Sequence, residues 1–165
     1  MIVETARLLI RELTEDDAPF VLRLTNEPSF IANIADKGIR NLDDAVEFLR
    51  EGAWTNQKIP GYGQFVVELK EDRSATGICG LLYRENLEVT DIGFALLPEY
   101  WGHGYAFEAA EAVLEYGHSE LGAGPIVGLT TEDNLPSIKL LEKLGMRFQK
   151  TVQMSDDDPG TAVYG

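Results

Sequence analysis

Two glycines one residue apart, Gly102 and Gly104, stand where the sequence changes from strand-like to helix-forming, just after Pro98. Glycine has no β-carbon, so it accepts positive φ angles and lets a bulky group touch the backbone. The first N–H groups of a helix have no partner within the helix and favour an anion. The spacing therefore predicts either a plain strand-to-helix turn or a backbone cradle for a phosphate.

Two familiar phosphate-binding loops do not fit this stretch. A P-loop requires Gly-Lys-Ser/Thr, which is not found here. A dinucleotide-binding loop requires a third glycine where the chain has Phe107. Any phosphate cradle here is of another kind.

A second polar pattern, "NLPSIKLLEKLG", begins thirty residues farther on at Asn134. Asn134 is a good helix N-cap, since its side chain can accept a backbone N–H, and Pro136 suits the first turn. Ser137 adds a hydroxyl close to the helix start. Lys139 and Lys143 are four residues apart on one helix face, where they either face a phosphate or are simply solvated.

Charge and cysteine content exclude several classes of function. The formal net charge is −14, which repels nucleic acid and anionic lipid and attracts amines. No apolar run is long enough to span a membrane. The single cysteine, Cys79, cannot form an internal disulfide and is predicted to lie in the core, so a cytoplasmic setting is expected. The only histidines, His103 and His118, have no paired cysteines, so no metal site is predicted.

The elements that position these residues follow from hydrophobic periodicity and turn residues. We predict the order β-α-α-β-β-β-α-β-α-β-β, with Pro28 ending the first helix and Asn41 capping the second. Short turns make the middle strands antiparallel, and residues 89–131 are long enough for a parallel crossover. The fold class is a mixed α/β (α+β) protein with a central sheet of about seven strands and helices on both faces. Residues 1–165 are expected to form one domain.

Both motifs, in this order, resemble the signatures of the GCN5-related N-acetyltransferase (GNAT) superfamily. The first signature covers the stretch Trp101-Gly102-His103-Gly104-Tyr105-Ala106, and the second is matched by Asn134, Ser137, Lys143 and Gly145. The chain looks most similar to the branch that acetylates the N-termini of ribosomal proteins, which tolerates an aromatic residue at position 101. Elsewhere in the superfamily Gln or Arg is usual there, so Trp101 costs one polar contact to the phosphate loop.

The resemblance implies a splayed sheet that binds acetyl-CoA as co-substrate. The pantetheine arm would lie between residues 89–97 and 125–131, paired with the backbone near Ala95, Leu96 and Leu97. Asn134 would contact the arm, Ser137 would donate to the leaving thiolate, and Lys139 and Lys143 would face the adenosine phosphate. The pyrophosphate would be held by the loop formed by Trp101, Gly102, His103, Gly104, Tyr105 and Ala106.

The implied activity is acetyl transfer to a primary amine by direct attack, with a peptide N-terminus or a small amine as acceptor. Asp91 is one candidate for the base, and the acids at 156–158 are another. Many relatives carry a tyrosine acid in the helix after Asn134, and none lies between positions 134 and 146. A non-catalytic acyl-CoA-binding module on the same fold is therefore an alternative. Whether the chain is a monomer or a homodimer stays open.

Overall fold

The computed structural model describes residues 2–55 and 58–165. The helices and strands, in chain order, have the following bounds: β1 (Val3–Glu4), β2 (Leu8–Arg11), α1 (Ala18–Thr25), α2 (Pro28–Asn33), α3 (Leu42–Arg50), β3 (Gly63–Leu69), β4 (Ala75–Arg84), β5 (Val89–Leu96), α4 (Tyr105–Ser119), β6 (Ile126–Thr131), α5 (Leu135–Lys143), β7 (Phe148–Val152) and β8 (Thr161–Tyr164). Short 3-10 turns precede α1 and follow β5.

The strands form one sheet in the order β1-β2-β3-β4-β5-β6-β8-β7. Every neighbouring pair is antiparallel except β5 and β6, which are parallel and joined through α4. The predicted mixed sheet is confirmed, but it has eight strands instead of about seven. The additional strand is β1, a two-residue segment that pairs with β2 and is too short to give a periodic signal.

The start of α1 agrees with the sequence prediction, whereas the segment that begins at Pro28 does not. Thr14 and Asp17 form a capping box at the preceding 3-10 turn. Helix α1 ends at Thr25, and Pro28 then begins a second short helix, which the sequence reading missed. Proline suits the first turn of a helix because that N–H has no intrahelical partner. Asn41 caps α3 as predicted, accepting a hydrogen bond from the Asp44 N–H.

Two apolar cores occupy the two faces of the sheet. One includes α4 and buries Cys79, Leu81 and Ile92 of the central strands. The other lies beneath α1 to α3 and includes Ile78, together with Phe30 and Trp54. Alternate residues of a strand point to opposite faces, so odd and even positions of β4 serve different cores. None of the helices that the structure describes is long and apolar enough to cross a membrane.

Candidate active site

The two parallel strands at the middle of the sheet pair over only part of their length. In the described chain, β5 and β6 pair from Thr90 to Ile92 and from Ile126 to Gly128. Beyond these residues β5 runs on to Leu96, while β6 continues to pair with β8 on its far side. A wedge-shaped cleft therefore opens between residues 93–96 and 129–131, which is the splay that the resemblance implied.

The glycine loop lies at the end of β5 beside this cleft. Gly102 and Gly104 have φ angles of +77° and +79°, a left-handed conformation that side chains other than glycine adopt only with strain. A β-carbon added at Gly102 would meet no atom within 4 Å, so the space above it is open. Backbone conformation, rather than crowding, thus requires glycine here, and the surface stays accessible to a large ligand.

Helix α4 begins directly after Gly104 and presents unpaired N–H groups to the loop. The first intrahelical hydrogen bond runs from the Glu108 N–H to the Gly104 carbonyl, at 3.1 Å. Gly104 occupies the N-cap position and has no side chain that could accept the preceding N–H groups. The amides of Tyr105 and Ala106 are therefore left for an anion at the positive end of the helix dipole.

Arg7, which lies near the N-terminus, anchors this loop, and the sequence analysis assigned it no role. Its Nε donates to Glu108 Oε2 at 2.7 Å, and its terminal nitrogen donates to the His103 carbonyl at 2.9 Å. The guanidinium also lies 4.6 Å from the centre of the Tyr105 ring. Its long-range partners give no local sequence signal. Arg7 therefore holds the glycine loop in place, while the charge of its guanidinium is balanced by Glu108.

Glu108 completes the anchor on α4. It accepts hydrogen bonds from the Thr5 hydroxyl at 2.6 Å and from the Arg7 backbone N–H at 2.9 Å. Partial burial raises the pKa of Glu108, but the hydrogen bonds from Thr5 and Arg7 outweigh this effect and hold the pKa below its ordinary value. The carboxylate therefore stays ionised and ties the turn between β1 and β2 to the first turn of α4.

Trp101 contacts the cleft in a way that the sequence did not predict. Its side chain is 53% exposed, and its indole Nε1 donates to the Leu96 carbonyl at 3.0 Å. The residue that departs from the superfamily pattern thus bonds to the open edge of β5. It fixes the direction in which the loop leaves that strand.

The backbone of residues 95–97 is only partly available to a ligand. The Leu97 N–H donates to the Thr76 carbonyl, and the Leu97 carbonyl accepts from the Tyr100 N–H. Both backbone groups of Leu97 are therefore bonded within the protein, and its pairing with the pantetheine arm stays a prediction. Ala95 is directed to the same edge as Leu97 because successive residues of a strand alternate. The backbone groups of Leu96 and Phe94 are directed to the open edge instead, where the Leu96 carbonyl accepts from Trp101.

The second motif caps and begins α5, which follows the end of β6. Asn134 Oδ1 accepts from the Ser137 N–H at 3.4 Å, which confirms the predicted N-cap. The Ser137 side chain is half-buried in the first turn, while Lys139 is exposed. Lys143 Nζ lies 4.3 Å from the centre of the Phe107 ring in the first turn of α4. A second cation therefore stands close to the start of that helix.

Asp91 is more deeply buried than a solvent-facing base would be. Its side chain is 3% exposed and accepts from Arg84 Nε at 2.9 Å. Burial raises the pKa of Asp91 above its ordinary value, and Arg84 offsets only part of that effect. The residue lies in the paired part of β5, two positions before the cleft opens at Gly93.

Neither the acid Asp158 nor the thiol of Cys79 has the properties of a general base. Asp158 accepts from the backbone N–H groups of Met154 and Gly160 and from the Thr161 hydroxyl. These bonds lower the pKa of Asp158, so it is a poor base. Cys79 is buried in the core as predicted, and burial raises the pKa of its thiol to about 12. Across the described ranges, no cluster of potential metal ligands is found.

Comparison with known proteins identifies the family. The acetyltransferase (GNAT) domain model matches residues 7–147. The chain belongs to the GNAT acetyltransferase family. The uncharacterized N-acetyltransferase YnaD of Bacillus subtilis is 32% identical over 162 residues, covering 95% of this chain and 91% of its own length. By this membership the protein is an acetyl-CoA-dependent acetyltransferase.

Solved structures show the same fold over nearly the whole chain. A GNAT-family acetyltransferase from Bacillus anthracis is 25% identical, with a TM-score of 0.81 over 98% of this chain and 95% of its own. RimL, a ribosomal-protein α-N-acetyltransferase in complex with coenzyme A, is 13% identical, with a TM-score of 0.81 over 99% and 95%. The second likeness is one of fold alone.

Proposed function

We propose that this acetyltransferase moves the acetyl group of acetyl-CoA to a primary amine by direct attack. The observation that carries the proposal is that the open β5–β6 cleft ends at a loop with two glycines of positive φ. An extended, amide-bearing arm fits an open sheet edge, to which the Phe94 backbone and the Leu96 N–H are directed. A pyrophosphate fits the free amides that open α4, with the Lys143 cation nearby.

The chain's own groups have separate tasks in this proposal. Ser137, at the start of α5, donates to the leaving thiolate, and Asn134 holds that helix start in place. Asp91, whose pKa is raised by burial, receives the proton of the acceptor amine directly or through water. The acetyl group arrives already activated as a thioester, so no covalent intermediate on the enzyme is needed.

The acceptor that fits best is a cationic amine, either a peptide N-terminus or a small amine such as a polyamine. The net charge of −14 supports this class, because it raises the local concentration of cations. RimL, which has the same fold, acts on a protein α-amine. We further propose that residues 1–165 form one domain and that the protein works in the cytoplasm, in keeping with its single buried cysteine.

The cradle is tested by comparing Gly102→Val with Gly122→Val. Both glycines have positive φ angles, +77° and +60°, and an added β-carbon meets nothing within 4 Å at either position. Backbone strain is therefore matched, at about 1–3 kcal/mol each, and only Gly102 borders the cleft. We expect acetyl-CoA to raise the thermal midpoint of wild type and Gly122→Val, but not of Gly102→Val. A full shift in Gly102→Val would refute the cradle.

Turnover separates catalysis from mere acyl-CoA binding. Release of free CoA thiol would be followed with peptides, polyamines, aminoglycosides and simple amines as acceptors. We expect amine-dependent release with at least one class and none with N-acetylated versions of the same acceptors. Acetyl-CoA binding without release on any class would favour the non-catalytic alternative.

A further inference from the structure

A buried carboxamide on β3, that of Gln64, is unexplained by packing or by the cofactor cradle. The residue is 7% exposed, and its Oε1 atom is fully buried without a hydrogen-bond partner in the described ranges. Leaving such a group unpaired has a substantial desolvation cost, so a native protein retains one only for a reason.

The side chain of Gln64 reaches the cleft because two glycines leave its path free. Gln64 lies opposite Gly80 on β4, which in turn lies opposite Gly93 on β5. Directly opposed residues share one face of a sheet. A β-carbon on Gly93 would overlap Gln64 Nε2, so the carboxamide lies over the backbone of β5 at that point. Gly93 is the first residue beyond the last β5–β6 pair, where the cleft begins.

The surroundings of this carboxamide suit an N–H donor. On the same face, Asp91 is two residues before Gly93 and is paired with Arg84. On the other side lies Trp54, whose carbonyl accepts from the Gln64 N–H at 2.7 Å and whose ring packs with Phe30. Arg84 balances the charge of Asp91. A ligand atom beside the Gln64 amide therefore lies between the apolar rings of Trp54 and Phe30 and the Asp91 carboxylate.

We propose that the Gln64 carboxamide binds the acceptor amine at the inner end of the cleft, where β5 and β6 separate. The proposal rests on the proposed function and names a residue of its acceptor site. The terminal torsion of glutamine is broad, so a half-turn presents the oxygen to the cleft. That oxygen accepts one N–H of the amine and holds its nitrogen beside Asp91.

The test measures Michaelis constants and thermal midpoints of Gln64→Met, with spermidine and an unblocked alanyl peptide as acceptors. Methionine keeps the length of glutamine and removes both polar atoms. We expect the KM for the acceptor to rise about tenfold through loss of a hydrogen bond to a charged group. The KM for acetyl-CoA stays unchanged. The thermal midpoint stays equal to wild type or rises, because no buried amide is left unpaired.

The matched control is Thr25→Val, which also removes a buried polar group. The Thr25 hydroxyl donates to the Val21 carbonyl at 2.8 Å, so this group is paired. We expect a lower thermal midpoint and an unchanged acceptor KM there, opposite to Gln64→Met on both measurements. Gln64→Leu is the second variant, and it must give the same rise in acceptor KM whatever its stability.

Three results would overturn the inference. Both apolar variants could keep the wild-type acceptor KM, which would leave the carboxamide without a role in binding. Both could raise the two KM values in the same proportion, which would indicate a structural role only. If wild type itself acetylates no amine, the proposed function fails and this inference fails with it. If wild type acetylates an amine and the Gln64 variants keep its acceptor KM, this inference fails and the proposed function stands.

Discussion

Arg7 is separated by 101 positions in the chain from Glu108, yet its guanidinium and its backbone N–H both donate to that carboxylate. The same guanidinium holds the His103 carbonyl within the glycine loop. A planar guanidinium donates hydrogen bonds in fixed directions, whereas an ammonium group does not. At the residue scale, Arg7 is therefore the group that sets the shape of the loop.

Replacing Arg7 tests this positioning role. We expect Arg7→Ala to raise the KM for acetyl-CoA about tenfold, because the loop carbonyl of His103 and the Glu108 carboxylate each lose a hydrogen bond. The acceptor KM should change little. Arg7→Lys should restore only part of the affinity, since lysine offers a single point charge. Steady-state kinetics with each substrate varied in turn gives both constants.

Arg50→Ala is the control for Arg7→Ala, since Arg50 is another exposed arginine in an ion pair, with Glu15. It lies on α3, away from the loop, and should leave the KM for acetyl-CoA unchanged. An equal effect of the two substitutions would show that Arg7 acts only through general charge.

At the scale of elements, the start of α1 is held to the sheet by a charged cluster. Arg11 of β2 donates to both carboxylate oxygens of Asp17 and also pairs with Glu68 of β3. Asp17 in turn accepts from the Thr14 N–H at 2.8 Å. Burial raises the pKa of Asp17, but the bonds from Arg11 and Thr14 outweigh it and the pKa is lowered.

This cluster predicts a loss of stability in acid. A lowered folded-state pKa stabilises the protein above the unfolded value of about 3.9, and that stabilisation is lost as pH falls through the folded pKa. We expect Asp17→Asn to reduce the free energy of unfolding by about 2 kcal/mol at pH 7. The difference from wild type should shrink at pH 3. Urea unfolding at both pH values measures it.

Asp16→Asn is the control within the same 3-10 turn, because Asp16 is exposed whereas Asp17 is buried. It should leave the free energy of unfolding nearly unchanged. A difference between wild type and Asp17→Asn that does not depend on pH would contradict the role given to the Asp17 carboxylate.

Across the whole molecule, a net charge of −14 has to coexist with the binding of an anionic co-substrate. The fold resolves this conflict locally. The first amides of α4, together with Lys143, supply positive potential where the cleft ends. The remaining acidic surface is left to attract the acceptor.

The distribution of charge predicts salt effects of different size on the KM values of the two substrates. Raising ionic strength from about 0.05 to 0.5 M shortens the screening length severalfold. We expect the KM of a polyamine to rise more than that of a monoamine, because long-range attraction scales with acceptor charge. The KM for acetyl-CoA should rise less than that of the polyamine. Equal salt dependence for monoamine and polyamine would contradict steering by the acidic surface.

The sequence by itself determined the family, the order of most elements and the two motifs, because these depend on local signals. Glycines that need positive φ, an asparagine that caps a helix and apolar periodicity are all read within a few residues. The start of α5 at Asn134 and the buried position of Cys79 follow in this way.

Only the tertiary structure decided which groups meet across long separations. The contact of Arg7 with the loop, the use of both Leu97 backbone groups and the pairing of Asp91 with Arg84 depend on strand register and on packing between elements. Gln64 reaches Gly93 only because β4 has a glycine between them. Register and packing are set by the sheet as a whole, so no short stretch of sequence encodes them.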